Sequence, residues 1–333
     1  MDVQGRSSVV IDCEVRPQVF RPTAGAERSE TGAPVRHGIV QDWDALERLD
    51  LHAFPGDQPL ILVEPAQIGQ EDAEQLAELA FEGLDVPRLC LANAAQLALY
   101  ADYAARQGAA EGHAPGGSLT GLVVESGDSL TTVTPIVDGF IISSGVRCSP
   151  LAGARVTCEL QSLLRRHRAA GPLTWARCKQ LKEEQVCARP MHGGDEGGSS
   201  TLEDAWQAAE VLFRPSSGTR KDSGHGLAGI IEDAVQACPI DARKALFGNI
   251  VLGGGNALLK GLPARLEAEL SALLSQRLGP KARPVPVRVS VHPRLARHAV
   301  WLGGSVLGAS DGEAYQESGR AAVEQASLTL RIS

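Results

Sequence analysis

Apolar and polar positions alternate most clearly between Ser118 and Phe140, SLTGLVVESGDSLTTVTPIVDGF. The β-branched runs at 122–124 and 133–137 flank the polar turn Glu125-Ser126-Gly127-Asp128-Ser129, a pattern that predicts a β-hairpin. Upstream, SSVVIDCEV (7–15), LILVE (60–64) and residues 89–92 read as strands. Helical spacing separates them. Asp42 caps a stretch that runs to Ala53 with Trp43, Leu46 and Leu49 on one face; Asp72–Leu84 groups Ala73, Leu76, Leu79 and Ala80; Ala94–Ala105 follows. Alternating strands and helices imply an α/β lobe with a covered sheet. The small, flexible run QGAAEGHAPGG (107–117) marks the boundary. The expected division is 1–106 with 299–333 in one lobe, 107–117 as linker and 118–298 in a second lobe.

Beyond the hairpin, a helix is expected from Leu151 through Leu160, Leu163 and Leu164 to the basic end Arg165-Arg166-His167-Arg168, where cations suit a helix C-terminus. Another covers Trp175–Cys187. MHGGDEGGSST (191–201) and SSGTRKDSGHG (216–226) read as surface loops. Helices at 227–236 and 241–247 precede a strand at 249–252 and the run Gly253-Gly254-Gly255-Asn256. A long helix then carries Leu262, Leu266, Leu270, Leu273 and Leu274 on one face. Val285–Val291 alternates as a strand, a helix begins at Ala299, and Leu328-Thr329-Leu330 ends the chain as a short strand.

Composition narrows the class. The 333 residues can bury a sizeable core in two lobes, and with aromatics at 4% its packing is aliphatic. A formal charge of −8 argues against a general nucleic-acid binder. Seven scattered cysteines (13, 90, 148, 158, 178, 187 and 238) contain no C-x-x-C pair and point to reduced thiols in a cytosolic or nuclear compartment. No run approaches a membrane span of about 20 apolar residues, and the N-terminus lacks the pattern of a secretory signal.

Candidate chemistry sits in the turns. Successive N–H groups of a tight, glycine-containing turn form a concavity that accepts phosphate; the plain alternative is a solvated turn between core strands. A glycine loop between strand and helix, as at 253–256, lets a ligand touch backbone, or simply permits close packing.

The hairpin resembles the second phosphate-clasping hairpin of the actin family, where a D-S-G-D-G turn joins two strands. Further segments agree in order: Pro34–Val40 with Asp42-Trp43-Asp44, Gly139–Gly153, Gln236–Gly255 and Arg297–Ser310. The CPID-R run at 238–243 and the basic, proline-rich Lys281–Val287 are more similar to the actin-related subunit of filament-nucleating complexes than to conventional actin. The resemblance implies the two-lobed actin, chaperone and sugar-kinase fold with a central cleft. It also implies that subdomain 2 is largely missing, because only residues 12–36 bridge that segment, and that subdomain 4 is reduced.

Carried over position by position, the cofactor contacts are Asp12, Glu125, Ser126, Gly127, Asp128, Glu184 at the ribose, Gly254, Gly255 and Asn256 beneath the adenosine, and Arg297 near the purine. ATP or ADP with Mg2+ is the implied occupant, unless the departures have removed it; no protein metal site is expected. The first clasp is degraded, since Cys13-Glu14-Val15-Arg16-Pro17 replaces its glycine turn. Glu183 stands where the family has a lysine, a charge reversal. Ala94 replaces the family's water-positioning glutamine, with Gln96 rotated about 200° away, and Thr132 replaces its histidine. Rapid hydrolysis is therefore not expected, and no residue is assigned as catalytic.

The implied function is a weakly catalytic or non-catalytic subunit of an actin-nucleating assembly, with its sister subunits and actin as partners, in the cytoplasmic cytoskeleton. The alternative is a pseudo-actin scaffold of a chromatin remodeller or dynein adaptor, which a nuclear location would favour. An ATPase or small-molecule kinase of the wider group is a third reading, separable by a turnover assay.

Overall fold

LILVE is apolar without alternation, as expected of a strand whose two faces are both covered. The computed structural model describes residues 9–12, 35–36, 39–43, 60–64, 69–108, 119–167, 173–191, 203–215, 226–279, 283–292, 296–309 and 316–317. The chain divides into two compact units, Met1–Glu111 with Ala299–Ser333, and Gly112–His298.

In the first unit, β1 (Val9–Asp12) precedes a small antiparallel pair, β2 (Val35–Arg36) and β3 (Ile39–Val40). β4 (Leu60–Glu64) leads to α1 (Gln70–Glu78), which continues as one π-helical turn, Leu79–Gly83. β5 (Arg88–Asn93) then enters α2 (Ala94–Gly108) directly. α1 buries Ala73, Leu76 and Ala77 against Leu60, Leu62 and Leu89. The sheet order is β1-β4-β5-β12, with β1, β4 and β5 parallel and β12 (Gln316–Glu317) antiparallel to β5. The expected helix to Ala53 is described only at its start; the first turn's replacement at 13–17, residues 13–34 of the shortened 12–36 segment and the strand at 328–330 lie outside the described residues, as do most of the two loops that bear on subdomain 4.

The second unit carries the hairpin, β6 (Gly121–Ser126) antiparallel to β7 (Thr131–Val137), as the alternation predicts. β8 (Phe140–Ile141) and β9 (Arg147–Ser149) both pair with β7. α3 (Gly153–Arg166), α4 (Trp175–Gln185), α5 (Leu227–Gln236) and α6 (Ile240–Gly248) lead to β10 (Ile250–Gly253), α7 (Leu262–Leu278) and β11 (Val289–Ser290). The order is β11-β10-β6-β7-β8, with β10 parallel to both β6 and β11. Leu122, Val124 and Val133 join α3, α5 and α7 in one aliphatic core. Of the expected 285–291 strand the ladder covers Val289–Ser290, and Arg288 before it donates to the Phe247 carbonyl at 3.0 Å and accepts from Ile250 N–H at 2.9 Å; Pro286 has no N–H to donate. Helix α4 ends at Gln185, and Cys187 instead bridges Lys260.

A 3₁₀ segment at Glu203–Leu212, absent from the sequence expectation, fills the space beside α3 with Ala205, Ala208, Ala209 and Leu212. Arg265 of α7 anchors it. Its guanidinium, only 4% exposed, donates to Glu210 Oε1 at 3.0 Å and Oε2 at 3.2 Å, to Glu269 Oε1 at 2.8 Å and to the Arg189 carbonyl at 2.7 Å. The same group lies 4.7 Å from the centre of the Phe213 ring.

Two constraints in the first unit are testable. Helix α8 (Ala299–Ala309) meets α2 so closely that a Cβ on Gly303 would lie 1.8 Å from the Leu97 carbonyl oxygen. G303A is expected to cost about 3 kcal/mol in chemical denaturation, since neither backbone can yield without moving a helix. At the end of β4, burial pushes Glu64 up from its ordinary 4.5 to about 7, and its Oε2 has no hydrogen-bond partner among the described residues. The folded chain therefore holds a proton here that the unfolded chain releases at lower pH. The group costs nothing below about pH 4.5, and its penalty grows as pH rises and levels off above about 7, near 3 kcal/mol. E64Q is expected to stabilise the protein by up to about that amount at pH 8 and by little at pH 5, read as the difference between the two proteins' unfolding free energies.

Candidate functional site: the β6–β7 turn

The strand pair closes at Ser126 opposite Thr131, and Gly127 N–H donates to the Leu130 carbonyl at 2.9 Å. The turn's own carbonyls face the start of α3. Gly127 O accepts from Gly153 N–H at 3.0 Å, and Asp128 O accepts from Ala154 N–H at 2.7 Å. A helix start leaves its first N–H groups without intrahelical partners, and Ala152 has no capping side chain; the turn supplies the missing acceptors.

Three buried side chains brace this junction. The Ser126 and Thr131 hydroxyls are hydrogen-bonded at 2.8 Å, and Thr131 donates to the Leu151 carbonyl at 2.6 Å. Asn256, 3% exposed, donates its amide to Ser126 Oγ at 2.9 Å and to Gly127 O at 3.0 Å. Gly254 makes that approach feasible. Its φ is +80°, and a Cβ would lie 2.3 Å from the Ser126 carbonyl oxygen, so no other residue fits without moving the strand. Gly255, by contrast, has open space where a Cβ would stand.

Cations gather on the turn. The buried ammonium of Lys182 on α4 donates to the Gly153 carbonyl at 3.1 Å and lies 3.8 Å from Asp128 Oδ1. The half-exposed Lys179 reaches the same oxygen at 3.8 Å. Burial lowers the pKa of Lys182, and the Asp128 carboxylate works against that shift. Lysines at i and i+3 share one helix face, so this pair was open to a reading from spacing.

Glu125, Ser126, Gly127, Asp128, Gly254 and Asn256 thus meet at one junction through strand pairing, direct bonds or the close approach above. Glu125 pairs with Thr132 on β7 and with Gly253 on β10. Arg297 pairs with Glu183 at 3.4 Å. Glu183 was expected as a reversed charge beside the nucleotide; Lys182, one residue earlier, is the side chain that meets the turn. One position on a helix rotates a side chain by about 100°, which separates the two. Glu184 is exposed and accepts from Gln180 at 2.8 Å. Asp12 ends β1 in the other unit, and its side chain is outside the described residues.

Thr132 is buried on β7, between Glu125 and Cys148 on its neighbouring strands. Ala94 opens α2, and the polar residue at that junction is Asn93, whose amide oxygen accepts from Ala95 N–H at 3.0 Å. An asparagine just before an apolar helix is a capping signal that sequence reasoning passed over. Among the described residues no three His, Cys, Asp or Glu side chains converge to hold a metal ion.

The arrangement is a rigid glycine-containing turn with two ammonium groups beside it, a donor set that fits the phosphate end of a nucleotide. The loop beyond β10 is less free. The Asn256 amide is already engaged by the turn, which makes this residue a structural brace.

The family sequence model described as Actin matches residues 17–191 and 195–325. Actin-related protein 3 of Drosophila melanogaster is 33% identical over 325 residues, covering 85% of this chain and 76% of the fly protein. Actin-related protein 3 of Caenorhabditis elegans is 34% identical over 326 residues, covering 86% and 75%.

Replacing Asn256 tests the brace. N256A is expected to cost about 2–3 kcal/mol in urea unfolding, from two buried hydrogen bonds and the acceptors they leave.

Proposed function

The chain belongs to the actin family, and from that premise we propose that it is a scaffold subunit of an actin-filament-nucleating assembly, with nucleotide held for structure and not for turnover. The observation that carries this reading is one-third identity, across 85% of the chain, to a protein named actin-related protein 3. Its partners are then the other subunits of that assembly and actin, and its location is the cytoplasmic cytoskeleton. No helix among the described residues is long and apolar enough to cross a membrane.

ATP or ADP with Mg2+ is the group such a chain would hold. The backbone N–H of Asp128 in the turn, with the ammonium groups of Lys179 and Lys182, would take its phosphates, and Glu125 would help orient waters on the magnesium. Bound nucleotide would supply negative charge to the two lysines and join the elements it touches. In-line hydrolysis needs a side chain that positions water, and the residues at the two expected positions do not offer one. Ala94 has no polar group, and the Asn93 amide oxygen already caps α2. Thr132 is a buried strand hydroxyl.

Two measurements test the reading. Mg-ATP at about one hundred times its Kd is expected to stabilise the folded chain by about 2.7 kcal/mol, seen as a raised melting midpoint, with phosphate release at the buffer rate. An unchanged midpoint removes the nucleotide from the proposal, and multiple turnover removes the scaffold role as stated. Affinity capture of the full chain from native cytosol is expected to recover actin-nucleating subunits. Recovery of chromatin-remodelling or dynein-associated proteins instead would move the chain to another complex.

A further inference from the structure

The sheet of the second unit ends at β11, whose inner side is taken by β10. Arg288 sets the direction of the strand's hydrogen bonds, since its N–H and its carbonyl both bond toward the β10 side, to Phe247 and Ile250. Neighbouring residues of an extended chain turn their backbone groups to opposite sides, which aims those of Val287 and Val289 at the outer edge. The chain is extended beyond the ladder as well. Val285, Val287, Val289 and Val291 pack against the core, while Pro284, Pro286 and Arg288 are exposed. Pro286 stands two residues before Arg288, so the donor it lacks belongs to the inner side and the proline does not blunt the outer one.

Among the described residues no strand pairs with that outer edge. An open groove of about 430 Å³ adjoins it, lined by Pro263, Ala264, Glu267, Ala268 and Ser271 of α7 and by Val289. Ala264, Ala268 and Ser271 are exposed, so small side chains leave room beside the strand. Glu267 is the one charged residue of that lining, and its Oε2 accepts from the outward Val289 N–H at 3.1 Å. Arg265, two residues earlier, does not neutralise it, because that guanidinium is directed to Glu210 and Glu269.

An open strand edge is a template for another strand, and the edge of an identical chain can meet it about a twofold axis. A carboxylate fixed on the edge opposes this in two ways. It occupies the N–H that an incoming carbonyl needs. The twofold axis would also bring two carboxylates into one joint between strands about 5 Å apart. We propose that Glu267 guards the edge of β11, keeping it from pairing with the same strand of a second copy of this chain. A serine or asparagine could satisfy the Val289 amide; a carboxylate in addition repels its own image. This role goes beyond the nucleotide and assembly readings and does not depend on them.

The test is sedimentation velocity of the full chain, E267A and E267K, with amide hydrogen exchange of β11 at low and high protein concentration. E267A is expected to self-associate about tenfold more tightly than the parent, with the Val287 and Val289 amides exchanging more slowly as concentration rises. E267K is expected to associate no more than the parent, because lysine cannot accept the Val289 hydrogen but still sets a charge on the edge. A contact that only fastens β11 to α7 would be lost alike in both variants. E267Q keeps an acceptor for that amide and decides the matter if E267A melts earlier than the parent; it too is expected to associate more tightly, by about threefold. The proposal is overturned if neither neutral variant associates more tightly than the parent, if E267K associates as tightly as E267A, or if association leaves the exchange of β11 unchanged.

Discussion

The start of α3 has no capping side chain, and two carbonyl oxygens of the β6–β7 turn take that role. Much of the second unit follows from this. The turn cannot change shape without releasing helix N–H groups, and the helix cannot shift without opening the turn. Asn256 and Gly254 draw the end of β10 into the same junction. Strand pair, helix start and glycine loop thus form one hydrogen-bonded body that is complete in the free protein.

Under the proposed function, such a junction would serve to hold a nucleotide. Its backbone geometry is set before any ligand arrives, and two ammonium groups stand beside it. Lys182 is the more telling of the two, because a buried ammonium needs compensation and Asp128 lies at 3.8 Å, beyond hydrogen-bond range. On the reading proposed above, phosphate oxygens would improve on that arrangement, while neither Thr132 nor the α2 junction would direct water toward them. A preformed grip without a water-positioning group is what a subunit needs if nucleotide serves its shape.

The hairpin was legible from its alternation and the helices from their apolar spacing, while the strands at 60–64 and 249–252 were legible as short unbroken apolar runs. Pro286 shows where alternation misleads at the start of the 285–291 run, since side-chain pattern says nothing of a missing N–H. The 3₁₀ segment was legible in principle from Ala205, Ala208, Ala209 and Leu212, but it stands between two Gly/Ser-rich stretches that draw the eye to a loop. At the site, the turn and its glycines could be read from residue type. The Lys182 contact could not be fixed by counting from a motif, because an error of one position on a helix exchanges a lysine for a glutamate. The Asn93 cap is local and was legible in principle, whereas the bracing role of Asn256 depends on where the backbone of another element lies, which composition does not encode.

Arg265 has a consequence for how this chain can tolerate change. One guanidinium ties the 3₁₀ segment to α7 and to the carbonyl of Arg189, so these pieces meet through a charged clamp and not through the covalent path between them. None of the partners just named belongs to the glycine-rich stretches 192–202 and 216–225 of the sequence. Their lengths can drift, or accept an inserted tag, while the clamp keeps the aliphatic interior of the second unit closed.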